Sequence, residues 1–349
     1  MRISEIDNYS DFLNLEKEWN NLLERCKHSI FSKWEWLSTW WKHFGSDKRL
    51  VLLLATDNDE IIGMAPLMYS TQKIFGLRRG KIAFIGTPHT DYNDFIIADK
   101  VEECLRLFID YQNNLPEKWN YIELTEIPEN SNCIAILSKL SKTLRPFPKC
   151  PYKPLPKSRD AFWSSLGSNL RHTLRRRSRL MKKSFKVEFV DYSGVQSCVD
   201  GMHWLFKLHQ KRWESRGFAG AFADEKFRNF NLDIAKSFAE KGQLGLFLLK
   251  LSDNPVAAMY GFKDQTKFYA YLSGFDLDYS KYGVGNQLHA YVMEKCIEDG
   301  LLEFDFMRGG ETYKDRWKTL SRWNQVAVIP RSGILSNTWY WLYTKIWNH

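Results

Sequence analysis

The chain has 349 residues, of which 44% are hydrophobic and 26% charged, the composition of an ordinary soluble protein. No apolar run approaches the roughly 18–20 residues that span a bilayer, so a membrane-spanning class is excluded. The six Cys residues are scattered without a C-x-x-C pair, which argues against a zinc ribbon and against a disulfide framework. The length exceeds that of one typical domain and predicts two.

The N-terminus lacks the apolar stretch of a secretion signal, and scattered cysteines are typical of reduced thiols, so we expect a cytoplasmic protein. The formal net charge is +9. This charge favours an anionic partner, namely a nucleotide cofactor, tRNA, an acidic saccharide or a membrane surface, without choosing among them.

The first half of the chain predicts alternating helices and strands. Apolar residues at spacings of three and four indicate helices, and runs rich in β-branched and aromatic residues around polar turns indicate strands. The predicted helices cover 9–27, 31–41 and 101–113, and the predicted strands cover 50–55, 61–69, 81–85, 93–97 and 121–127.

A proline-rich segment over 145–156 follows. Proline lacks the amide donor and fixes φ, so we predict a connector here and place the domain boundary in it. The expected division is an N-terminal domain at 1–150, a C-terminal domain at 151–332 and an aromatic tail helix at 333–349.

The second half begins with a basic helix that carries many Arg and Lys residues. Its predicted helices cover 169–183 and 202–213, with a third that begins at Gly283 and ends before Gly300, and its predicted strands cover 244–250, 256–262, 266–276, 302–306 and 326–329.

The two halves share a strand–turn–strand pattern. An offset of 195 positions places Leu53 on Leu248 and Ile61 on Val256, with a polar turn between them in both halves. The repeated unit is too long for a solenoid, so the pattern predicts two copies of one α/β fold.

Strand, glycine turn and helix follow one another at Gly283-Val284-Gly285. Amides at the start of a helix are unpaired, the helix dipole favours negative charge there, and glycine lets a phosphate approach closely. The spacing alone also fits a plain turn into a helix. The preceding strand and the order of elements around it favour an anion site.

Residues Ser280-Lys281-Tyr282-Gly283-Val284-Gly285 resemble the pyrophosphate loop of GNAT acyltransferases, whose pattern begins with Gln or Arg and has Gly at the fourth and sixth positions. Ser280 departs from that pattern. Most of the chain resembles the CelD/BcsL-type acetyltransferase branch, which is similar to the Fem-type aminoacyl transferases. The motifs that carry this resemblance are Phe31…Trp36…Trp40-Trp41, Gly63-Met64-Ala65-Pro66-Leu67, Leu208-His209…Arg212-Trp213 and Gly310-Glu311…Tyr313-Lys314…Trp317.

The resemblance implies a mixed α/β architecture of tandem GNAT folds, each a twisted central mixed sheet flanked by helices. It implies acyl-CoA or acetyl-CoA as co-substrate in the C-terminal domain, and no metal. The residues expected to bind the acyl donor are Leu272, Ser273, Gly274, Lys281, Tyr282, Gly283, Val284, Gly285 and Asn286.

Four side chains are candidates for the chemistry. Lys314 could neutralise an oxyanion or hold a phosphate, or be a surface lysine. Asp305 could be a base or a structural acceptor for loop amides, and Glu311 could accept a proton or bind the acceptor. His209 suits proton transfer, although a packed histidine is the alternative. Residues expected on the acceptor side are Asp91, Tyr92, Asp94, Arg212, Trp213 and Tyr313, with turn chemistry as the alternative for the first three.

The main hypothesis is acyl transfer from acyl-CoA to an amine of a sugar or related small metabolite, in envelope polysaccharide production as the resemblance implies. The basic run over 171–183 could hold an anionic acceptor or be a solvated helix face. It also motivates a first alternative, a Fem-like ligase that uses aminoacyl-tRNA. A second alternative is a non-catalytic scaffold or nucleic-acid binder. The aromatic tail could contact a membrane surface or pack on the protein. The oligomeric state is left open.

Overall fold

The structure is a computed structural model, which describes residues 1–74 and 76–331. The contacts divide the chain into two compact units: unit 1 comprises residues 1–148 with the described residues from 323 onwards, and unit 2 comprises Lys149–Arg322. The predicted tail helix at 333–349 lies outside the described residues. Within them, no helix has both the length and the apolar character needed to cross a bilayer.

The helices of unit 1 are α1 Tyr9–Leu13, α2 Glu16–Leu23, α3 Trp34–Phe44, α4 Val101–Tyr111 and α5 Ile134–Leu140. Those of unit 2 are α6 Arg159–Ser165, α7 Ser168–Ser184, α8 Cys198–Glu214, α9 Glu225–Glu240, α10 Val284–Glu298 and α11 Thr312–Asp315. The strands are β1 Arg2–Ile6, β2 Arg49–Asp57, β3 Glu60–Ile74, β4 Leu77–Phe84, β5 Ile96–Ile97, β6 Trp119–Pro128, β7 Thr143–Pro154, β8 Val187–Asp191, β9 Leu244–Leu251, β10 Asn254–Lys263, β11 Lys267–Phe275, β12 Glu303–Asp305 and β13 Leu320–Pro330.

Each unit has a mixed sheet with the same strand order. Unit 1 has β1-β2-β3-β4-β6-β13, with β5 on β3, and unit 2 has β8-β9-β10-β11-β12-β7. The pairs β4–β6 and β11–β12 are parallel, while the other described pairs are antiparallel. A buried apolar core packs helices on each sheet, around Leu53 and Phe108 in unit 1 and around Leu249 and Val292 in unit 2.

The two hairpins that suggested a repeat have the same construction. Asp57 pairs with Glu60 and Leu251 with Asn254, so the turns lie 194 residues apart (251 − 57), one fewer than the offset that the sequence suggested. Both turns contain two left-handed residues, as type I′ hairpins require. Each hairpin has a register shift close to its turn, between Ala55 and Thr56 of β2 and between Pro255 and Ala257 of β10.

The prediction of a connector at 145–156 is wrong, because β7 covers most of this segment. A proline has no amide to donate, but its carbonyl still accepts and its φ suits an extended chain. The Pro151 carbonyl accepts from the Phe306 amide at 3.0 Å, and the Lys149 carbonyl accepts from the Gly309 amide at 2.9 Å. Carbonyl acceptors therefore join this strand to the chain that follows β12.

Two further predicted elements differ from the structure. The helix over 9–27 is divided into α1 and α2, which meet at Asn14 and Leu15. The strand over 93–97 is reduced to β5. The Asp94 carboxylate accepts from the Phe95 amide at 2.9 Å, which holds the preceding residues in a loop.

Candidate functional site

The glycine turn lies where the sequence predicts it, between β11 and α10. Gly283 has φ of 64°, a left-handed conformation that favours glycine, and its carbonyl accepts the first helical hydrogen bond, from Gln287. The amides of Val284, Gly285 and Asn286 are therefore the unpaired donors at the start of this helix. The first turn of α10 contains no acidic residue. The helix start is positive and suited to an anion.

These amides face a cavity of about 420 Å³ within unit 2. Its walls come from the middle of β10, the end of β11, the glycine turn, α10, α7, α8 and the start of α11. The lining residues are Arg177, Arg212, Arg216, Ala257, Ala258, Met259, Ser273, Gly274, Phe275, Ser280, Gly283, Val284, Gly285, Asn286, Leu288, His289, Glu311, Thr312 and Tyr313.

Gly274 explains how α8 reaches this cavity. A β-carbon on Gly274 would lie 2.3 Å from the His209 backbone nitrogen, so only glycine allows the helix to pack this closely on β11. The next turn of α8 then carries Arg212 into the wall, and Arg216 follows two residues after the end of the helix. The Arg212 guanidinium lies 4.6 Å from the centre of the Phe275 ring.

The cavity is strongly basic. Among the described residues, none of Arg177, Arg212 and Arg216 forms an ion pair, and the Nε atoms of Arg177 and Arg212 are buried without a hydrogen-bond partner. Burial, and then the neighbouring Arg216, lower the pKa of Arg212. The carboxylate in the wall, Glu311, is paired with Lys314 at 2.8 Å. Cations held in this way are suited to an anionic ligand.

The second half of β11 has an open edge. Among the described strands, β11 pairs with β12 only at Lys267, Phe268 and Tyr269. Beyond Tyr269, the backbone on that side is available to a ligand. Ser273 and Gly274 line the cavity there, whereas Leu272 does not.

Two of the candidate catalytic residues stabilise a loop. Lys314 is 2% exposed, and its Nζ donates to the carbonyls of Met307, Arg308 and Gly309 at 3.2, 2.9 and 3.2 Å. Asp305 is fully buried, and its Oδ1 accepts from the Met307 amide at 2.8 Å. Neither residue lines the cavity. For Asp305, this placement favours the structural-acceptor alternative.

His209 is also buried away from the cavity lining. Its Nε2 accepts from Trp213 Nε1 at 3.0 Å. Burial, reinforced by Arg212, lowers the pKa of His209 to about 4, so the imidazole is neutral at pH 7. The packed-histidine alternative fits this placement.

Only some of the residues predicted to bind the donor or the acceptor line this cavity. Lys281 and Tyr282 contact each other, with Nζ 4.9 Å from the ring centre, and Tyr282 packs against Phe185. These two residues and Trp213 lie outside the cavity lining, whereas Arg212, Tyr313 and the Gly283–Asn286 segment are part of it.

The predicted acceptor residues Asp91, Tyr92 and Asp94 lie in unit 1. Asp91 is 5% exposed and its carbonyl accepts from Asn324 Nδ2 at 2.7 Å, while the Tyr92 carbonyl accepts from Ser29. Burial raises the pKa of the Asp94 carboxyl to about 7. The Asp91 and Tyr92 contacts are made with residues distant in the chain, whereas the bond from the Phe95 amide to the Asp94 carboxylate is the local turn chemistry that the sequence left as an alternative.

Sequence reasoning missed His289, which lines the cavity. Because a carbonyl only accepts, His289 Nδ1 donates to the Gly285 carbonyl at 2.8 Å, and the lone pair lies on Nε2. Burial lowers the pKa of His289 to about 4. Its spacing of four from Gly285, on one face of α10, is the signal that could have identified it.

Sequence reasoning also missed Arg177 and Arg216. Arg177 lies three residues after Leu174 and four before Met181, in the buried stripe of α7. A charged residue at a stripe position was the available signal.

Comparison with known proteins agrees with this fold. Residues 168–315 match the family model of the acetyltransferase (GNAT) domain. The crystal structure of FemX is similar with a TM-score of 0.66 at 13% identity, covering 98% of this chain and 99% of that one. The C-terminal domain (DUF2156) of a protein assigned as a lysylphosphatidylglycerol synthetase from Agrobacterium fabrum has a TM-score of 0.56 at 12% identity, covering 94% of each chain.

A tandem GNAT protein from the clavulanic acid biosynthesis pathway has a TM-score of 0.52 at 7% identity, covering 95% of this chain and 100% of that one. The sequence matches no curated protein. Identities this low show the fold alone. The predicted fold class, tandem GNAT folds, is confirmed, and residues 168–315 match the GNAT domain model.

Proposed function

We propose that this protein transfers an acyl group from acyl-CoA to an amine of a sugar or related small metabolite. The match of residues 168–315 to the GNAT domain supports this proposal. We also propose that the acyl group is acetyl and that the protein belongs to the CelD/BcsL-type branch. One observation carries the proposed transfer from acyl-CoA: the left-handed glycine turn and the open amides of α10 face a cavity with three unpaired arginines.

In this proposal the chain's main role is to bind and orient. The amides of Val284, Gly285 and Asn286 hold the pyrophosphate, and the open edge of β11 holds the pantetheine arm. Amides near Ser273 and Gly274 donate to the thioester oxygen as negative charge develops on it. Holding both reactants in one cavity removes much of the entropic barrier.

The reaction forms a nitrogen–carbon bond and breaks the carbon–sulfur bond of the thioester. The amine loses one proton, and the departing thiolate takes up one. Glu311 is the acceptor that the cavity wall offers for the amine proton, and the Nε2 lone pair of His289 accepts a hydrogen bond from the amine without taking its proton. A neutral His289 suits a hydrogen-bond acceptor, because its lowered pKa makes the imidazolium unfavourable at pH 7.

Calorimetric titration of desulfo-CoA tests the donor. Wild type should bind, and Gly283→Trp should not, because the indole would fill the space above the helix start. Gly300→Trp is the matched control: Gly300 also has positive φ, follows the other end of α10 and has open space around it. Absence of binding by wild type would refute acyl-CoA as donor. Equal binding by both variants would place the donor elsewhere.

A second candidate function, aminoacyl transfer from tRNA, is favoured by another cavity of unit 2. This groove has a volume of about 620 Å³ and combines the basic side chains Arg175, Arg179 and Lys182 of α7 with the aromatic rings of Trp163, Phe189 and Tyr291. Arginines bind phosphates and aromatic faces stack on unpaired bases, so the groove suits the single-stranded end of an RNA. The likeness to FemX is consistent with it.

A tRNA gel shift at two salt concentrations tests this second function. Strong binding that weakens with salt, and that Arg175→Glu/Arg179→Glu removes, would support it. Lys183→Glu, an exposed residue of α7 outside the groove lining, is the control. If neither tRNA nor desulfo-CoA binds, the non-catalytic alternative replaces both.

A further inference from the structure

We infer that Arg177, a residue of α7 outside the glycine motif, is the cation that binds the donor's pyrophosphate at the start of α10. The inference rests on the proposed function and names a residue for it. The glycine turn itself offers amides and, at Ser280, a hydroxyl in the cavity wall, but no cation that lines the cavity.

The position of Arg177 is fixed by the packing of α7. Leu170, Leu174 and Met181 are buried along one face of this helix, and Arg177 lies in the same stripe. Gln287 Nε2 of α10 donates to the Leu174 carbonyl at 2.9 Å, which ties the two helices together one turn before Arg177. The neighbouring Arg176 is exposed. The helix therefore directs Arg177 inward while Arg176 faces solvent.

The guanidinium lies directly over Gly283. A β-carbon on Gly283 would be 2.6 Å from Arg177 Nη1 and 3.0 Å from Arg177 Cδ. Glycine is favoured here by its left-handed φ, and its lack of a side chain leaves the space that the arginine occupies. The guanidinium is beside the open amides of α10, so both donors converge on one point.

Nothing among the described residues neutralises Arg177. It forms no ion pair there, and its Nε is buried without a partner. An unpaired, partly buried cation beside the positive end of a helix is unfavourable in the absence of an anion. A phosphate removes this penalty, because its oxygens match the planar fork of arginine and accept from the helix amides at the same time.

The test measures desulfo-CoA affinity by calorimetry for Arg177→Ala, Arg177→Lys and Arg176→Ala. We expect Arg177→Ala to weaken binding about 10- to 100-fold, the range for a hydrogen-bonded charged pair. Arg177→Lys should lie between Arg177→Ala and wild type, because the charge is kept and the fork is lost. Arg176→Ala removes the same charge from the same helix and should bind as wild type does.

A rescue variant tests the position. Ser280 lines the same cavity three residues before Gly283, so an arginine introduced there can reach the same phosphate. Arg177→Ala/Ser280→Arg should bind desulfo-CoA at least about tenfold more tightly than Arg177→Ala does. No recovery would overturn the assignment of Arg177 to this phosphate.

The outcomes separate the two proposals. If wild type binds desulfo-CoA and Arg177→Ala binds equally well, the inference is wrong and the proposed function stands. If wild type does not bind, the proposed function fails and the inference fails with it. Equal losses in Arg177→Ala and Arg176→Ala would show a general charge effect and also overturn the inference. The Lys variant gives a folded comparison if the Ala variant does not fold.

Discussion

The corresponding helices of the two units begin in opposite ways. The helix α4 of unit 1 and the helix α10 of unit 2 both follow a left-handed residue, Lys100 with φ of 49° and Gly283 with φ of 64°, and both then have valine as their first residue. In α4 the next two residues are Glu102 and Glu103, so the helix dipole is compensated by its own carboxylates.

In α10 the same two positions are Gly285 and Asn286, which leave the amides open. The positive end of α4 is thus compensated by carboxylates of the chain itself, whereas the positive end of α10 is not. If the donor's pyrophosphate binds at α10 as proposed, two side chains at the start of the helix, rather than the fold, distinguish the two units.

The largest expected effect comes from copying the unit 1 sequence into unit 2. Gly285→Glu/Asn286→Glu should lower desulfo-CoA affinity by at least about 100-fold, because two carboxylates then oppose the pyrophosphate at short range. The variant should still fold, since acidic residues in a first turn are stabilising. Calorimetry gives the affinity and circular dichroism the fold.

Gly285→Gln/Asn286→Gln is the matched control for size. It should retain most of the affinity, because it adds similar bulk without charge. If the Gln variant loses as much as the Glu variant, sterics rather than charge distinguish the two helix starts.

A second contrast concerns a left-handed residue near the end of the parallel strand of each unit. Glu126, within β6, and Met307, two residues beyond β12, have φ of 62° and 60°, and a buried polar side chain bonds the chain near each. Asn324 bonds Glu126 at 2.9 Å in unit 1, and Lys314 bonds three carbonyls in unit 2. Lys314→Met should lower the free energy of unfolding by about 2–3 kcal/mol, since it leaves buried carbonyls without donors.

Urea unfolding measures this loss, with Arg316→Met as the control, because Arg316 is exposed in the same segment. The control should change stability by less than about 0.5 kcal/mol. Desulfo-CoA binding should persist in Lys314→Met. Unchanged stability with lost turnover would instead place Lys314 in the chemistry.

The two units should respond to pH in opposite directions. Burial lowers the pKa of His209 and His289 in unit 2 to about 4, so their unfolded forms bind more protons between pH 6.5 and 4. Their contribution to stability is present at pH 7 and falls with acidification. Burial raises the pKa of Asp94 in unit 1 from 3.8 to about 7, so its contribution improves as pH falls through 7.

Each of these shifts corresponds to a change on the order of 2 kcal/mol between pH 7 and pH 5. Urea unfolding at both pH values should show that the free energy of unfolding falls less between pH 7 and pH 5 in His289→Gln than in wild type. Asp94→Asn should stabilise the protein at pH 7 and have less effect at pH 5. Parallel responses of the two variants would contradict the assigned pKa directions.

The smallest effect concerns the two equivalent hairpin turns. Asp59 and Asp253 are both left-handed, with φ of 63° and 69°, a conformation that glycine adopts without strain. Relief of the left-handed strain, about 1–2 kcal/mol, is partly offset by the chain entropy that glycine loses on folding, about 0.5–1 kcal/mol, so Asp59→Gly and Asp253→Gly should each stabilise the protein by up to about 1 kcal/mol. Thermal unfolding should give similar gains, and a gain in only one variant would show that the turns differ in context.

Local patterns predicted much of the fold but less of the site. The hairpins, the glycine turn and the helices depend on nearby residues, so their periodicity is visible in the sequence. The strand β7 was missed because proline content was weighed without its carbonyls, which accept from the chain that follows β12.

The site was predicted where it is local and missed where it depends on packing. Gly283 and Gly285 are adjacent to the helix they begin. Arg177 and Arg216 reach the cavity only because α7 and α8 pack in a particular way, the latter through Gly274. Lys314 and Asp305 were chosen for their chemistry, but the structure shows both buried in contacts with a loop.

Unit 1 is not continuous in the chain. Its strand β6 pairs with Asn324–Pro330 of β13, which is synthesised after all of unit 2. During translation, the edge of β6 therefore lacks this partner until the residues beyond 323 have left the ribosome, whereas unit 2 is complete at Arg322. We expect unit 2 to reach its native state first on the ribosome and unit 1 to complete its sheet last. Until then the edge of β6 is unpaired, and the nascent chain is most prone to aggregation.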